Sequence, residues 1–262
     1  MQCKPFKKMS VLAGIVRVLL LAGGILAMFG PLEIYAEPAA LQILDRADDK
    51  WDLNLKNSMV ELELLVYREN ELRKTYRMIL KYQDTDHVIA ETIYPPRNKG
   101  EKMLQAGRRN FWLFLPNINR AVRISESNSL SNSDFSNTDL LSPRLSKEYT
   151  PKVLGVEKLN GEEAYKLELT AKDESTPYAK IIYWIRKADN FPLRRDYYTF
   201  SQQLLKRLDM KASSPAANGM PDTFVMSSVL ERDKKTVIRY LKVTPGPGFP
   251  AETFRESALM KR

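Results

Sequence analysis

Apolar residues recur at two different spacings along this chain. Between residues 37 and 56 they lie three or four positions apart, at Leu41, Leu44, Ala47 and Trp51. This spacing predicts an amphipathic helix with charged residues on its other side. From Val60 onward apolar and polar residues alternate, and a period of two predicts strands that each bury one face.

The alternating runs predict a mainly β fold with roughly ten antiparallel strands. The clearest runs are 60–66, 76–82, 88–94, 109–115, 120–124, 181–185, 193–200, 204–210, 224–230 and 236–243. Asn160 and Gly161 stand between two further runs and predict a type I′ hairpin. The predicted register pairs Val156 with Tyr165, Leu154 with Leu167, and Lys158 with Glu163. Pro250 opens a short helix near the end of the chain.

The strand pattern is interrupted between residues 125 and 146. This segment is rich in Ser, Asn and Asp, and its apolar residues are Leu130, Phe135, Leu140, Leu141 and Leu145. Because long irregular segments inside a compact domain are usually either functional or disordered, we treat it as a candidate functional segment.

The first residues resemble a secretory signal. Basic Lys4, Lys7 and Lys8 precede an apolar run at 18–29, and the small residue Ala36 follows. We expect a signal peptide over residues 1–36, cleaved near Ala36, and a single exported domain over residues 37–262. The alternative is an uncleaved anchor over residues 11–32, which would place Arg17 inside the membrane.

Charge and cysteine content narrow the chemistry that is available. The formal net charge is +9, but basic and acidic residues are interleaved, unlike the clustered basic face of a nucleic-acid binder. The only cysteine, Cys3, precedes the apolar run, so the predicted mature domain has no disulfide and no thiolate metal site. We expect no nucleic-acid partner.

Few residues suit catalysis. His87 is the only histidine, and the sequence has no nucleophile elbow, phosphate-binding loop or closely spaced ligand set. The acidic pair Asp48 and Asp49 fits a solvated helix face. We therefore predict neither enzymatic activity nor a cofactor or metal site, and an esterase that uses His87 remains the enzymatic alternative.

Several motifs together resemble the outer-membrane lipoprotein-sorting group, the relatives of the periplasmic carrier LolA. The residues that carry the resemblance are Pro96, Lys99, Gly100, Leu104, Trp112, Leu113, Phe114, Leu115, Pro116, Arg120, Arg123, Ile124, Ser133, Asp134, Phe135, Ser136, Asp139 and Leu140. The pattern departs from the group at Asn132, where a glycine is usual, and at Phe114, where tyrosine is common.

The resemblance implies an α+β fold, namely a curved, incomplete antiparallel β-barrel with helices that plug its concave side. It also implies an apolar cavity for acyl chains. Our candidates for contact with the cavity are Tyr76, Met78, Leu80, Trp112, Phe114, Phe135 and Leu140. Arg120 and Arg123 are candidates either to meet a lipid headgroup or to pair with Asp134 and Asp139.

The function implied by the resemblance is that of a periplasmic carrier, which sequesters acyl chains of lipids or lipoproteins without bond chemistry. Its expected partners are an inner-membrane transporter and, as a second candidate, an outer-membrane acceptor. Two alternatives stay open beside the esterase. One is an accessory lipid-binding subunit of an inner-membrane exporter of the RND or ABC type, and the other is a structural envelope domain with a filled core.

Overall fold

A computed structural model gives the fold of the protein for residues 39–125, 127–141, 144–213, 219–229, 231 and 233–260. The expected signal peptide lies outside these residues. Thirteen strands within the described residues form one antiparallel sheet. None of the helices in this part of the chain has the length and apolarity that a bilayer crossing requires.

The described chain begins with helix α1 (Ala40–Leu55). The first six strands follow as β1 (Ser58–Arg68), β2 (Glu71–Asp84), β3 (His87–Tyr94), β4 (Lys102–Ala106), β5 (Phe111–Leu115) and β6 (Arg120–Ile124). Two short helices, α2 (Asn137–Leu141) and α3 (Leu145–Glu148), precede the remaining strands. These are β7 (Tyr149–Leu159), β8 (Glu162–Ala171), β9 (Lys180–Arg186), β10 (Pro192–Tyr198), β11 (Leu204–Lys211), β12 (Thr223–Ser228) and β13 (Lys234–Pro245), followed by helix α4 (Glu256–Leu259).

The strand order is β6-β5-β4-β3-β2-β1-β13-β12-β11-β10-β9-β8-β7. Neighbours in sequence are neighbours in the sheet, except that β1 pairs with β13 in the middle and β6 and β7 form the two edges. The sheet is therefore open. Residues 125–148 must carry the chain from one edge to the other, and we call this segment the connection.

The sheet is strongly curved. Strands β5 and β9 stand nine places apart in the strand order, which would separate them by about 40 Å in a flat sheet. Nevertheless Phe111 of β5 and Ile181 of β9 line the same cleft. The sheet must curl to bring these strands together, and we call the side that lines this cleft the inner face.

The main core lies on the inner face. Alternate side chains of the strands pack there with Ile43, Leu44, Ala47 and Leu55 of α1. The period of about 3.6 residues places the buried side chains of α1 on one side of the helix, and the period of two places alternate strand side chains on one face of the sheet. These two apolar surfaces face each other. The predicted mainly β fold and amphipathic helix are thus confirmed.

The hairpin at Asn160 and Gly161 forms with part of the predicted register. Val156 lies opposite Tyr165 and Lys158 opposite Glu163, as predicted. Leu167, however, faces Val153, because an irregularity between Val153 and Gly155 removes Leu154 from the ladder and leaves it exposed. Gly155 takes a φ of +152°, which residues with a side chain rarely adopt.

Candidate functional site

The connection covers part of the inner face. Three of its apolar side chains, Leu130, Phe135 and Leu145, are buried in the main core. Its remaining attachments are mostly polar. They form two groups of hydrogen bonds around Asp134 and Asp139, together with a contact between α3 and α1.

The first polar group surrounds Asp139 of α2. Lys206 Nζ donates to Asp139 Oδ2 at 2.5 Å, and the Tyr178 hydroxyl donates to Oδ1 at 3.1 Å. The backbone N–H of Ser136 also donates to Oδ2, at 2.7 Å. The side chains of Asp139 and Lys206 are 2% and 10% exposed. This buried ion pair ties α2 to strand β11, and we call it the Asp139 clasp.

The second polar group surrounds Asp134. Arg68 of β1 donates to Asp134 Oδ2 at 3.0 Å, and the Thr236 hydroxyl of β13 donates to the same oxygen at 2.7 Å. The backbone N–H of Asp134 in turn donates to Thr236 Oγ1 at 3.1 Å. The connection is therefore fixed to the two strands at the centre of the sheet.

The third attachment joins α3 to α1 through Asp48. The backbone N–H of Ser146 donates to Asp48 Oδ2 at 2.9 Å. Burial raises the pKa of Asp48 to about 6, against the lowering effects of Ser146 and of the Arg195 charge. Our expectation of a solvated Asp48 was wrong, because this carboxyl is 5% exposed and faces the α3 segment.

Two clefts lie beneath the connection. The first, which we call the β4 cleft, is lined by Met78, Ala90, Met103, Leu113 and Leu130 and extends to Asn137. The second, the seam cleft, is lined by Gln105, Phe111, Tyr149, Ile181 and Arg195 and extends to Thr138, Asp139 and Glu148. Successive parts of the connection therefore roof both clefts.

Ion pairs form part of the lining of the seam cleft. Arg108 and Arg109, in the turn between β4 and β5, both contact the carboxylate of Glu148, Arg109 Nη2 at 2.8 Å. Burial alone would raise the pKa of Glu148, but the hydrogen bonds and charges of the two arginines outweigh it and lower that pKa. These contacts join the β4–β5 turn to the residues that lead into edge strand β7.

Known structures share this architecture. A LolA superfamily protein from Nitrosomonas europaea is 22% identical, with a TM-score of 0.75 over 84% of this chain and 99% of that one. An outer membrane lipoprotein-sorting protein domain from Vibrio parahaemolyticus is 23% identical, with a TM-score of 0.74 over 85% and 98%. A DUF1329 family protein from Desulfovibrio piger is 24% identical, with a TM-score of 0.72 over 84% and 97%.

A family model described as an uncharacterized protein matches residues 84–261, more than half of the chain. The chain belongs to this family. No curated protein matches it in sequence. The LolA-like fold accounts for the open, curved sheet, and the resemblance stated from the sequence motifs is confirmed.

Four of the predicted contact residues lie in the main core. Tyr76, Met78 and Leu80 alternate along β2 and are at most 4% exposed, and Phe135 of the connection packs in the same cluster. Met78 also lines the β4 cleft. Leu140 belongs to α2, but its side chain lies outside the described part of the structure.

Trp112 and Phe114 lie on the opposite face of the sheet from Met78. They pack with Leu104 and with Phe254 and Leu259 of the C-terminal segment. Alternation along β5 gives the inner face to Phe111 and Leu113 instead. The period of β5 alone predicts neither face, because it does not locate the C-terminal segment that shields Trp112 and Phe114 from water.

The predicted arginine–aspartate pairs do not form. Arg120 and Arg123 are exposed on edge strand β6. Asp134 pairs instead with Arg68, and Asp139 with Lys206. The reason is topological, because the connection turns away from β6 and crosses strands β1, β13 and β11.

Two cations at inward positions of the strands were missed in the sequence. Lys206 precedes Leu208 and Met210 at the inward positions of β11, and Arg195 precedes Tyr197 in the same way on β10. A cation that takes an apolar position in an alternating strand is the signal that could have identified both.

The alternative enzymatic site finds no support in the contacts of His87. Its Nδ1 lies 2.9 Å from Asp84 Oδ1, and its ring packs against Phe254. Among the hydrogen bonds of the described residues, none links His87 to a serine or threonine hydroxyl. The same residues contain no group of three or more potential metal ligands.

Proposed function

We propose that this protein is a periplasmic carrier that holds acyl chains of lipids or lipoproteins on the inner face of its sheet. The observation that carries the proposal is the apolar inner face, which is roofed by a connection with few buried apolar side chains and several polar attachments. In this proposal α1 and the connection plug the concave side, and the connection moves to admit the ligand.

The energetics of transfer fit this arrangement. Burial of each methylene contributes about 0.8 kcal/mol, so a single acyl chain supplies ample free energy for binding. Leu130 and Phe135 occupy the inner face now, and a ligand that replaces them would preserve apolar contacts there. Release then requires the connection to return, and a partner that favours one position would drive it.

The proposed cellular setting follows from the predicted export signal. The carrier would consist of a signal peptide over residues 1–36 and a single domain over residues 37–262, located in the periplasm. An inner-membrane transporter would deliver the lipid or lipoprotein, and an outer-membrane acceptor would take it. No bond is formed or broken in this cycle.

The test is to purify the protein from a Gram-negative host that expresses the full chain and to identify co-purifying lipid by mass spectrometry. We expect stoichiometric lipid in the natural protein and its loss in Leu113→Glu, which places a carboxylate in the β4 cleft. Leu241→Glu, at an exposed site on β13, is the matched control and should retain the lipid.

Thermal unfolding of both variants checks that the fold is intact. A natural protein that contains no lipid and takes up no fluorescent fatty acid would contradict the carrier function.

A further inference from the structure

The seam cleft contains one buried hydrogen-bond acceptor that the fold does not satisfy. Gln105 of β4 is 2% exposed and lines this cleft. Its Nε2 donates to the carbonyl oxygen of Thr85 at 3.2 Å. Its Oε1 is fully buried and accepts no hydrogen bond from any residue that the structure describes.

This arrangement specifies the kind of group that would bind. Because the Thr85 carbonyl fixes the amide nitrogen, the oxygen is the atom left for a ligand, and it can only accept. Burial of an unpaired polar atom is unfavourable, so a ligand that brings an O–H or N–H donor removes this cost. A ligand without a donor leaves the cost in place.

The charges around the seam cleft favour an uncharged ligand head. Arg108 and Arg109 contact Glu148, and Lys206 contacts Asp139. Arg195 donates to the Tyr183 hydroxyl at 2.9 Å and interacts electrostatically with Asp48. An uncharged donor meets Gln105 without disturbing these contacts.

Apolar side chains complete the cleft. Phe111, Leu145 and Ile181 line it beside the polar groups and belong to the main core. An alkyl chain attached to the polar head would therefore continue directly into the apolar inner face. The combination of a few fixed polar groups with apolar walls is typical of small-molecule sites.

We infer that the seam cleft binds the uncharged, donor-bearing head of an acylated ligand, whose O–H or N–H donates to Gln105 Oε1. This inference rests on the proposed carrier function and adds the class of its ligand. The donor can come from a hydroxyl, as in an acylglycerol, or from an amide, as in an N-acylated amine.

The experiment compares three uncharged lauroyl probes on the full-length protein after removal of bound lipid, by displacement of a fluorescent fatty acid. Monolauroylglycerol supplies an O–H donor, N-methyl lauramide supplies an N–H donor, and methyl laurate supplies neither. We expect at least one donor-bearing probe to bind about ten-fold more tightly than methyl laurate. Whichever of monolauroylglycerol and N-methyl lauramide binds more tightly shows whether the donor is a hydroxyl or an amide.

Gln105→Met retains the length of the side chain and removes both the acceptor and the Nε2 donor to Thr85. We expect this variant to lose the preference, so that the three probes bind it with similar affinity. Gln203→Met, at an exposed position, is the control and should keep the preference.

Equal binding of all three probes to the natural protein would overturn the inference and leave the carrier function intact. Failure of every probe to bind would instead overturn the carrier function itself. Because the comparison of probes is made first on the natural protein, it does not depend on the folding of Gln105→Met. A preference that persists in a folded Gln105→Met would also overturn the inference.

Discussion

Helix α1 and the connection both pack in the main core, by different physical means. The inward side chains of α1, Ile43, Leu44 and Ala47, are at most 1% exposed and form a continuous apolar stripe. The connection is longer and buries only a few apolar side chains, and it relies on discrete polar contacts at Asp134 and Asp139.

This difference predicts which of the two segments, α1 or the connection, can move away from the core. Apolar burial over a whole helix face is lost only at a large cost in free energy, because every side chain returns to water. A polar contact is exchanged for hydrogen bonds to water when it opens, so its net contribution is much smaller. We therefore expect α1 to act as a permanent wall and the connection to act as the mobile cover.

The largest expected effect concerns α1. Leu44→Ala removes a fully buried side chain from the main core, so it should lower the free energy of unfolding by about 3 to 5 kcal/mol. Chemical denaturation measures this loss. Leu41→Ala, whose side chain is 50% exposed on the same helix, should change stability by less than about 0.5 kcal/mol.

Similar small losses in both variants would mean that α1 is also a loosely held cover. The contrast between α1 and the connection would then disappear.

The second prediction concerns Asp48, where α1 and α3 meet. Burial raises the pKa of this carboxyl from its ordinary value of 3.8 to about 6, so the folded protein binds the proton more tightly than the unfolded chain. The resulting stabilisation is complete below about pH 4 and is lost as the pH rises through about 6. It amounts to roughly 2 to 3 kcal/mol.

Asp48→Asn keeps an acceptor for the Ser146 N–H and cannot ionise. The stability of this variant relative to the natural protein should therefore rise between pH 4 and pH 7, as measured by denaturation across this range. Asp45→Asn, on the exposed side of α1, is the control. A pH-independent difference for Asp48→Asn would show that the buried carboxyl does not govern this contact.

Much of the fold was accessible from periodicity. Alternation located most strands, and Asn160 with Gly161 located the hairpin, because these signals depend only on neighbouring residues. Strand β4 was missed because both of its faces are buried: Met103, Leu104 and Gln105 are buried in succession, so apolar and polar residues do not alternate. The pairing of β1 with β13 depends on contacts between distant parts of the chain, which no local pattern contains.

The candidate site was predicted less completely for a related reason. Alternation in β2 identified Tyr76, Met78 and Leu80 as one set, but the choice of face on β5 required knowledge of the C-terminal segment. The partners of Asp134 and Asp139 depend on the route of the connection across the sheet. The alternation could have marked Lys206 as unusual, but no local pattern names a partner more than 60 residues away in sequence.

The smallest expected effect on global stability comes from the Asp139 clasp. Lys206→Met keeps most of the apolar stem and removes the ammonium group that contacts Asp139. The decrease in the free energy of unfolding cannot exceed the free energy needed to detach the connection from the sheet. Once the connection has detached, water solvates Asp139 and the missing partner no longer matters. We expect the free energy of global unfolding to fall by about 1 kcal/mol.

The local effect of Lys206→Met should be much clearer. Amide hydrogen exchange at residues 130–139 should accelerate about ten-fold or more, while amides of α1 retain their protection. Lys166→Met removes an exposed ion pair with Glu157 and should alter neither region. Equal acceleration in α1 and in the connection would mean that the two covers open together, so that the inner face would be exposed only by unfolding of the whole core.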